Sequence, residues 1–313
     1  MDIKTKLPAG KTGGYLALGV TSIVWGTTWV ASKIGVARMP ALQMAYIRQF
    51  CAGMIFVLFY MLVKKASLPT RRQFRWLLIM GLLMFVMANG LSTWSLHYIP
   101  TGLSALIGAL YPLSVVIIEM IFFRSRSMNG LTFIGLLLGI SGVGIVFYET
   151  AFTQHSEGFG FGVFLSVIAM LAWSAGTIFI TRNRMQLDPY YATGWQMLLG
   201  SGMLLLLTTF TQPTIPLSDI PGTAWLAITY LVLAGSVLSF VAFIYSMKKL
   251  PVSIASLYAY INPLVAMVTA ALLLNEPLTV YIIWGSVVTL AGVFLVNFSI
   301  RRKRKKLIAE PEQ

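Results

Sequence analysis

Apolar residues in this chain gather into long unbroken runs, and polar residues collect in short gaps between them. Ten runs, at residues 15–36, 42–63, 74–96, 101–123, 131–148, 160–181, 191–211, 223–247, 252–274 and 278–299, stand out. Each is long enough to cross roughly 30 Å of hydrocarbon as a helix. In lipid every backbone N–H and C=O must find a partner inside the protein, so runs of this kind predict helices. The expectation is an all-α integral membrane fold of ten transmembrane helices. The gaps leave no room for a separate soluble domain. The run after Lys4, Lys6 and Lys11 outlasts a secretory leader and lacks a small-x-small cleavage signal, so it reads as a retained first helix.

Composition sharpens this picture. The chain is 58% hydrophobic and only 10% charged, against about 25% charged in soluble domains. The net charge of +14 raises the question of nucleic acid. The basic residues answer it by their distribution, because they sit in clusters between apolar runs and cannot form one basic face. They read as anchors at anionic lipid headgroups. If the N-terminus is cytoplasmic, Lys33 and Arg38 fall outside and Arg48 falls within a span; the other 20 of the 23 Lys and Arg fall inside. That asymmetry predicts a multi-pass protein of the inner (plasma) membrane with both termini cytoplasmic. The run Arg301 to Lys306 fits a membrane-surface anchor. The single cysteine, Cys51, lies within an apolar run and reads as a packing residue.

The chain also repeats itself. Trp25 matches Trp173, the pair Pro40 and Met54 matches Pro189 and Met203, and Trp76 matches Trp225. Pro100 and Pro112 match Pro251 and Pro263 with equal spacing, and Gly142-Val143 matches Gly292-Val293. The offset stays near 150 residues throughout. Five helices per half is an odd number, so the halves must lie in opposite orientation. The predicted layout is a cytoplasmic tail (1–12), a five-helix repeat (13–148), an external loop (149–159), a second repeat (160–299) and a basic cytoplasmic tail (300–313). Inverted repeats are the architecture of secondary transporters, which alternate access around a site between the halves.

The segment Trp25-Gly26-Thr27-Thr28-Trp29 resembles the EamA family of the drug/metabolite transporter superfamily. So do Tyr98-Ile99-Pro100-Thr101-Gly102 with Pro112-Leu113, and Asn262-Pro263-Leu264 with Asn275-Glu276-Pro277-Leu278. Gly285 and Gly292-Val293 fit the same pattern, and the resemblance spans about residues 13–299. It implies ten helices, cytoplasmic termini and export of metabolites, often amino acids or related compounds. One departure stands out. The family often carries Gly-Glu after both the fourth and ninth helices, whereas this chain has Ser125-Arg126 and Asn275-Glu276. The first of these positions cannot supply a carboxylate.

The candidate substrate-contacting residues are Trp25, Arg48, Asn89, Tyr111, Trp173, Tyr258 and Asn262. Arg48 is the one Arg or Lys well inside a span. It has three readings: snorkelling to the outer headgroups, binding an anionic substrate group, or pairing with a protein carboxylate. Glu119 sits too near the cytoplasmic edge to be that carboxylate and is expected beside Arg124. Pro112 and Pro263 lie mid-run at equivalent positions and predict paired helix breaks that free the carbonyls of Gly108 and Ala259. Tyr111 and Asn262 precede those prolines and would line the resulting cavity. Trp25 and Trp173 suit either cavity lining or helix packing, and Asn89 suits either a substrate or a neighbouring helix. His97 reads as a solvated interface residue.

Other chemistry is not visible. Gly10-Lys11-Thr12 imitates the end of a P-loop, but Thr5 replaces its first glycine. Two histidines, His97 and His155, with one cysteine make no metal cluster. No enzyme, cofactor or nucleic-acid partner is expected; a small-molecule substrate and lipid are, in a monomer or homodimer. The alternatives are multidrug efflux, metabolite uptake, or a non-transporting scaffold or receptor. Of the nine acidic residues only Glu119 lies clearly in a span. Facilitated diffusion or exchange is therefore expected over proton coupling.

Overall fold

A computed structural model describes residues 9–123, 129–153, 157–182, 186–255 and 257–309. Lys4, Thr5, Lys6, Arg124, Ser125, Arg126, His155, Arg184, Asp2, Glu310 and Glu312 lie outside the described residues. The described residues form an all-helical bundle without strands. In chain order the main elements are α1 (Ala9–Val36), α2 (Ala41–Val63), α3 (Arg71–Ser95), α4 (Thr101–Ala109) and α5 (Tyr111–Phe123). Then come α6 (Gly130–Thr153), α7 (Phe159–Arg182), α8 (Pro189–Thr211), α9 (Gly222–Lys249), α10 (Val252–Ala255), α11 (Tyr258–Leu274) and α12 (Val280–Ala309).

Seven helical stretches among the described residues are long and apolar enough to cross a membrane, and no more than half of each is buried in the protein. They lie in α2, α3, α4 with α5, α6, α7, α9 and α12. The expectation of ten crossings is thus met on length and apolarity by seven. The spans α1 and α8 are long but diluted by glycine, serine, threonine and tryptophan, and α11 is apolar but has only 17 residues. Unburied apolar side chains such as Leu62, Phe122, Phe210 and Leu272 form the outer surface that hydrocarbon would cover.

Local chemistry sets several boundaries. Thr70 and Gln73 cap the start of α3 reciprocally. The Asp188 carboxylate accepts from the Tyr190 and Tyr191 N–H groups at the start of α8, with Pro189 in the first turn. Asn275 ends α11 in the left-handed conformation at φ 56°. The last helix runs through the basic residues to Ala309, because Lys and Arg are good helix formers; the tail expected from residue 300 begins as helix. α6 is likewise longer than the expected 131–148.

Two features escape a reading of hydrophobic runs. Helix α3 is π-helical over Gly81–Gly90, and α9 over Leu231–Leu238. The interruptions are also unequal. Helix stops at Ala109 and restarts at Tyr111, so Pro112 sits in the first turn of α5, where a missing N–H costs nothing. The other interruption falls between Ala255 and Tyr258, and Pro263 lies inside α11.

The principal packing pairs are α2 with α8 and α6 with α12. α1 packs on α9 and α11, while α7 packs on α3 and on α4 and α5; α3 also meets α8, and α2 meets α9. The seam between α6 and α12 is as close as backbones allow. A Cβ on Gly142 would fall 2.5 Å from the Gly285 oxygen, and one on Gly292 would fall 2.3 Å from the Gly139 nitrogen. Without a hydrophobic force between helices in lipid, such small-residue contact supplies the association through close packing.

Glycine at the seam can be tested directly. Gly142→Leu should lower the midpoint of thermal unfolding in mild detergent, at a cost of about 1–3 kcal/mol for overpacking. Gly144→Leu, where nothing lies within 4 Å, should leave it unchanged. Equal midpoints for the two variants would contradict the seam.

Candidate functional site

A cavity of about 180 Å³ opens among α1, α2, α3, α4, α5, α7, α9 and α11. It has room for on the order of ten waters or one small organic solute. All seven candidates from the sequence line it: Trp25, Arg48, Asn89, Tyr111, Trp173, Tyr258 and Asn262. Pro263 also lines it, whereas Pro112 does not.

Arg48 turns into the bundle and is 6% exposed. Its Nε donates to Ser236 Oγ at 3.1 Å. Among the described residues no carboxylate lies within 4 Å of it; the ion pair found there is Arg182 with Glu119 at 3.6 Å. Glu119 therefore has Arg182 as a partner; the expected neighbour Arg124 lies outside the described residues. Both side chains of that pair are substantially exposed, so the pair adds little stability. Burial leaves the snorkelling reading of Arg48 without support.

Ser236 belongs to the π-helical stretch of α9, and Asn89 to that of α3. Gly235, also in the α9 stretch, offers its carbonyl to Trp25 Nε1 at 3.0 Å. A Cβ at Gly235 would fall 2.6 Å from Thr28 Cγ2, so only glycine lets α1 come this near. π-helical turns recur at functional sites because they displace side chains and carbonyls from the regular register. Here they place one lining residue, Asn89, and the two groups, Gly235 O and Ser236 Oγ, that hold the lining residues Trp25 and Arg48.

The apolar side of the cavity is an aromatic cluster. The Trp25 ring centroid lies 5.2 Å from Phe240, 5.1 Å from Phe243, 5.3 Å from Tyr258 and 6.5 Å from Trp173, the last edge-on at 89°. Leu18 and Leu250 are buried behind this cluster. Tyr111 stacks on Tyr258 at 6.5 Å, and their hydroxyls are 3.4 Å apart. Opposite, the Ser95, Ser104 and Ser166 hydroxyls bond to one another at 2.8–3.1 Å and tie α3 and α4 to α7.

Both asparagines are held by residues that sequence reasoning did not single out. Trp29 Nε1 donates to Asn262 Oδ1 at 3.0 Å. Gln49 Nε2 donates to Asn89 Oδ1 at 2.6 Å. Each has a signal in hindsight: Trp29 is one helical turn after Trp25, and Gln49 is an amide beside Arg48 in an apolar run. Ser236 and Phe240 carry no such signal, since their placement depends on the π-helical turns.

The carboxylates are spent elsewhere. Glu276 accepts from the Thr101 N–H at 2.9 Å and the Gly102 N–H at 3.3 Å, capping α4. Lys33 donates to the Leu96 and Ile99 carbonyls at 2.6 and 3.0 Å. Glu149 accepts from Thr279 Oγ1 at 2.5 Å. Among the described residues no group of three His, Cys, Asp or Glu could hold a metal.

Known proteins with this sequence pattern carry transport names. The EamA-like transporter family matches twice, over residues 12–148 and 160–298. The uncharacterized transporter YoaV of Bacillus subtilis strain 168 is 25% identical over 92% of this chain and 98% of its own. The uncharacterized inner membrane transporter YedA of Escherichia coli K12 is 29% identical over 84% of this chain and 83% of its own. One crystal structure shares the fold at a TM-score of 0.63, covering 93% of this chain and 99% of the other at 16% identity. Two family matches that together take in nearly all of its length make this membrane protein a member of the EamA-like transporter family.

Proposed function

We propose that the protein is a secondary carrier that exports small organic metabolites, amino acids or related amphipathic compounds, by alternating access. In this reading ten helices cross the membrane as two inverted halves, α1–α6 and α7–α12, with both termini cytoplasmic. The observation that carries it is the cavity between the halves, walled by α1–α5 from one and α7, α9 and α11 from the other. A site of this kind at a repeat interface is where alternating access needs it.

Three further facts support the architecture. The family matches each half separately. The π-helical stretches Gly81–Gly90 and Leu231–Leu238 fall at the repeat offset. Packing survives exchange of the halves: α1 on α9 becomes α7 on α3, α1 on α11 becomes α7 on α4 and α5, and α2 on α9 becomes α8 on α3. The pairs α2 with α8 and α6 with α12 map onto themselves, as helices flanking a pseudo-two-fold axis do.

Topology is tested with reporter fusions after Arg75, Glu157 and Lys249, which should read inside, outside and inside. An inside reading at Glu157 contradicts inversion. The cavity is tested with single cysteines at Trp25, Tyr111, Trp173 and Asn262 in a Cys51→Ala background. A water-soluble thiol reagent should label them and block transport; four unlabelled positions with transport intact would remove this site.

Energy coupling follows from where the carboxylates sit. Among the described residues no Asp, Glu or His lines the cavity, and membrane proton relays need such a group with alternating access. Facilitated diffusion or exchange is the resulting expectation. An imposed pH gradient across liposomes should leave the equilibrium level of substrate unchanged. Uphill accumulation abolished by Glu119→Gln or Glu276→Gln would reverse that conclusion.

A further inference from the structure

We infer that the cavity selects organic monoanions, with a carboxylate-like group at Arg48, Asn89 and Asn262 and an aromatic or apolar body against the Trp25 cluster. This rests on the reading of the cavity as the transport site and narrows its substrate class to the anionic metabolites, setting zwitterionic amino acids aside.

The case lies in which hydrogen-bonding atoms remain free. An indole N–H can only donate, so the Trp29 bond turns the Asn262 oxygen toward Trp29. The Asn262 –NH₂ is left for the cavity. Gln49 does the same to Asn89, taking its oxygen and leaving its –NH₂. Among the described residues neither –NH₂ has a protein acceptor, and neither is sealed from the cavity. Arg48 spends only Nε on Ser236, so its terminal nitrogens are also without a protein acceptor. Trp25, by contrast, has already given its N–H to Gly235.

The free strong polar groups of the cavity are therefore donors, and one of them carries a fixed positive charge. The two amide oxygens, the best neutral acceptors available, each already accept one hydrogen bond, from Trp29 and Gln49. Among the described residues no acidic one lines the cavity. A carboxylate in this cavity has a charged fork and two amide donors within its lining, groups of the kind that bind an oxyanion well. An ammonium meets repulsion from Arg48 in a low-dielectric site and finds only hydroxyls and ring faces. The second positive charge of a zwitterion carries the same penalty. Nearby rings supply area for an apolar body.

The test uses full-length protein in liposomes, Ala109→Cys in a Cys51→Ala background, and a water-soluble thiol reagent; Ala109 lines the cavity. Phenylacetate, phenylalanine, phenethylamine and phenylacetamide share a ring and differ in charge. Phenylacetate should protect the introduced thiol at a concentration at least about ten-fold below the other three, the scale of one charge-assisted hydrogen bond. Arg48→Gln should erase that preference, and Arg48→Lys should keep part of it. Asn262→Asp should weaken phenylacetate about ten-fold and strengthen phenethylamine, which also serves if Arg48→Gln fails to fold. Equal or better protection by phenylalanine or phenethylamine overturns the charge class while leaving the transport site standing. So does protection by none of the four. Failure of the reagent to label the Ala109→Cys variant removes the cavity reading and this inference with it.

Discussion

Hydrocarbon cannot hydrogen-bond, and the rest of this structure follows from that single constraint. It forces the chain into helices, and it leaves few buried polar side-chain atoms without a partner in the bundle, among the described residues Gln49 Oε1, Thr101 Oγ1 and Trp195 Nε1. Many hydroxyls comply by turning back on their own helix: Thr21 donates to the Ala17 carbonyl, Ser22 to Leu18 and Ser286 to Ile282. Others link helices, as in the serine triad across α3, α4 and α7. Against that background of satisfied groups, an arginine bonded only through Nε and two half-used amides stand apart. They mark the place where the protein keeps polar capacity in reserve.

Keeping that capacity aimed needs support from neighbouring residues, Trp29 in the cavity wall and Ser236 and Gln49 outside it. Arg48 depends on Ser236, Asn262 on Trp29, and Asn89 on Gln49. Two of these three pairs join different helices across the halves, since Ser236 and Asn262 follow residue 160 while Arg48 and Trp29 precede it. Movement of one half against the other would thus act directly on the polar end of the cavity. The aromatic cluster has the same dual character, because Trp25 packs on Phe240, Phe243 and Tyr258 from the other half.

How much of this is legible in the sequence depends on what kind of signal carries it. Helix positions follow from run length, and most ends agree to within a few residues, because hydrocarbon thickness sets one scale for all of them. Arg48, Asn89 and the paired tryptophans are visible because each is chemically out of place in an apolar run. The π-helical turns are not visible, since no residue type demands them. Without them the roles of Ser236 and the Gly235 carbonyl cannot be foreseen. The prolines point to the neighbourhood of the interruptions and not to their exact place, because each follows the end of the preceding helix by several residues. Pro112 occupies a first turn that does not need its N–H, and Pro263 is accommodated inside α11.

The apolar girdle has a practical side. Leu62, Phe122, Phe210 and Leu272 are each at least 73% exposed. Left in water, one such side chain forfeits about 1.5–3 kcal/mol of burial, while the net stability of a folded domain is only about 5–15 kcal/mol. A handful of uncovered side chains therefore equals the whole margin. Whatever dissolves this molecule must coat the girdle as completely as lipid does. The amphiphile chosen for purification is in that sense part of its folding free energy.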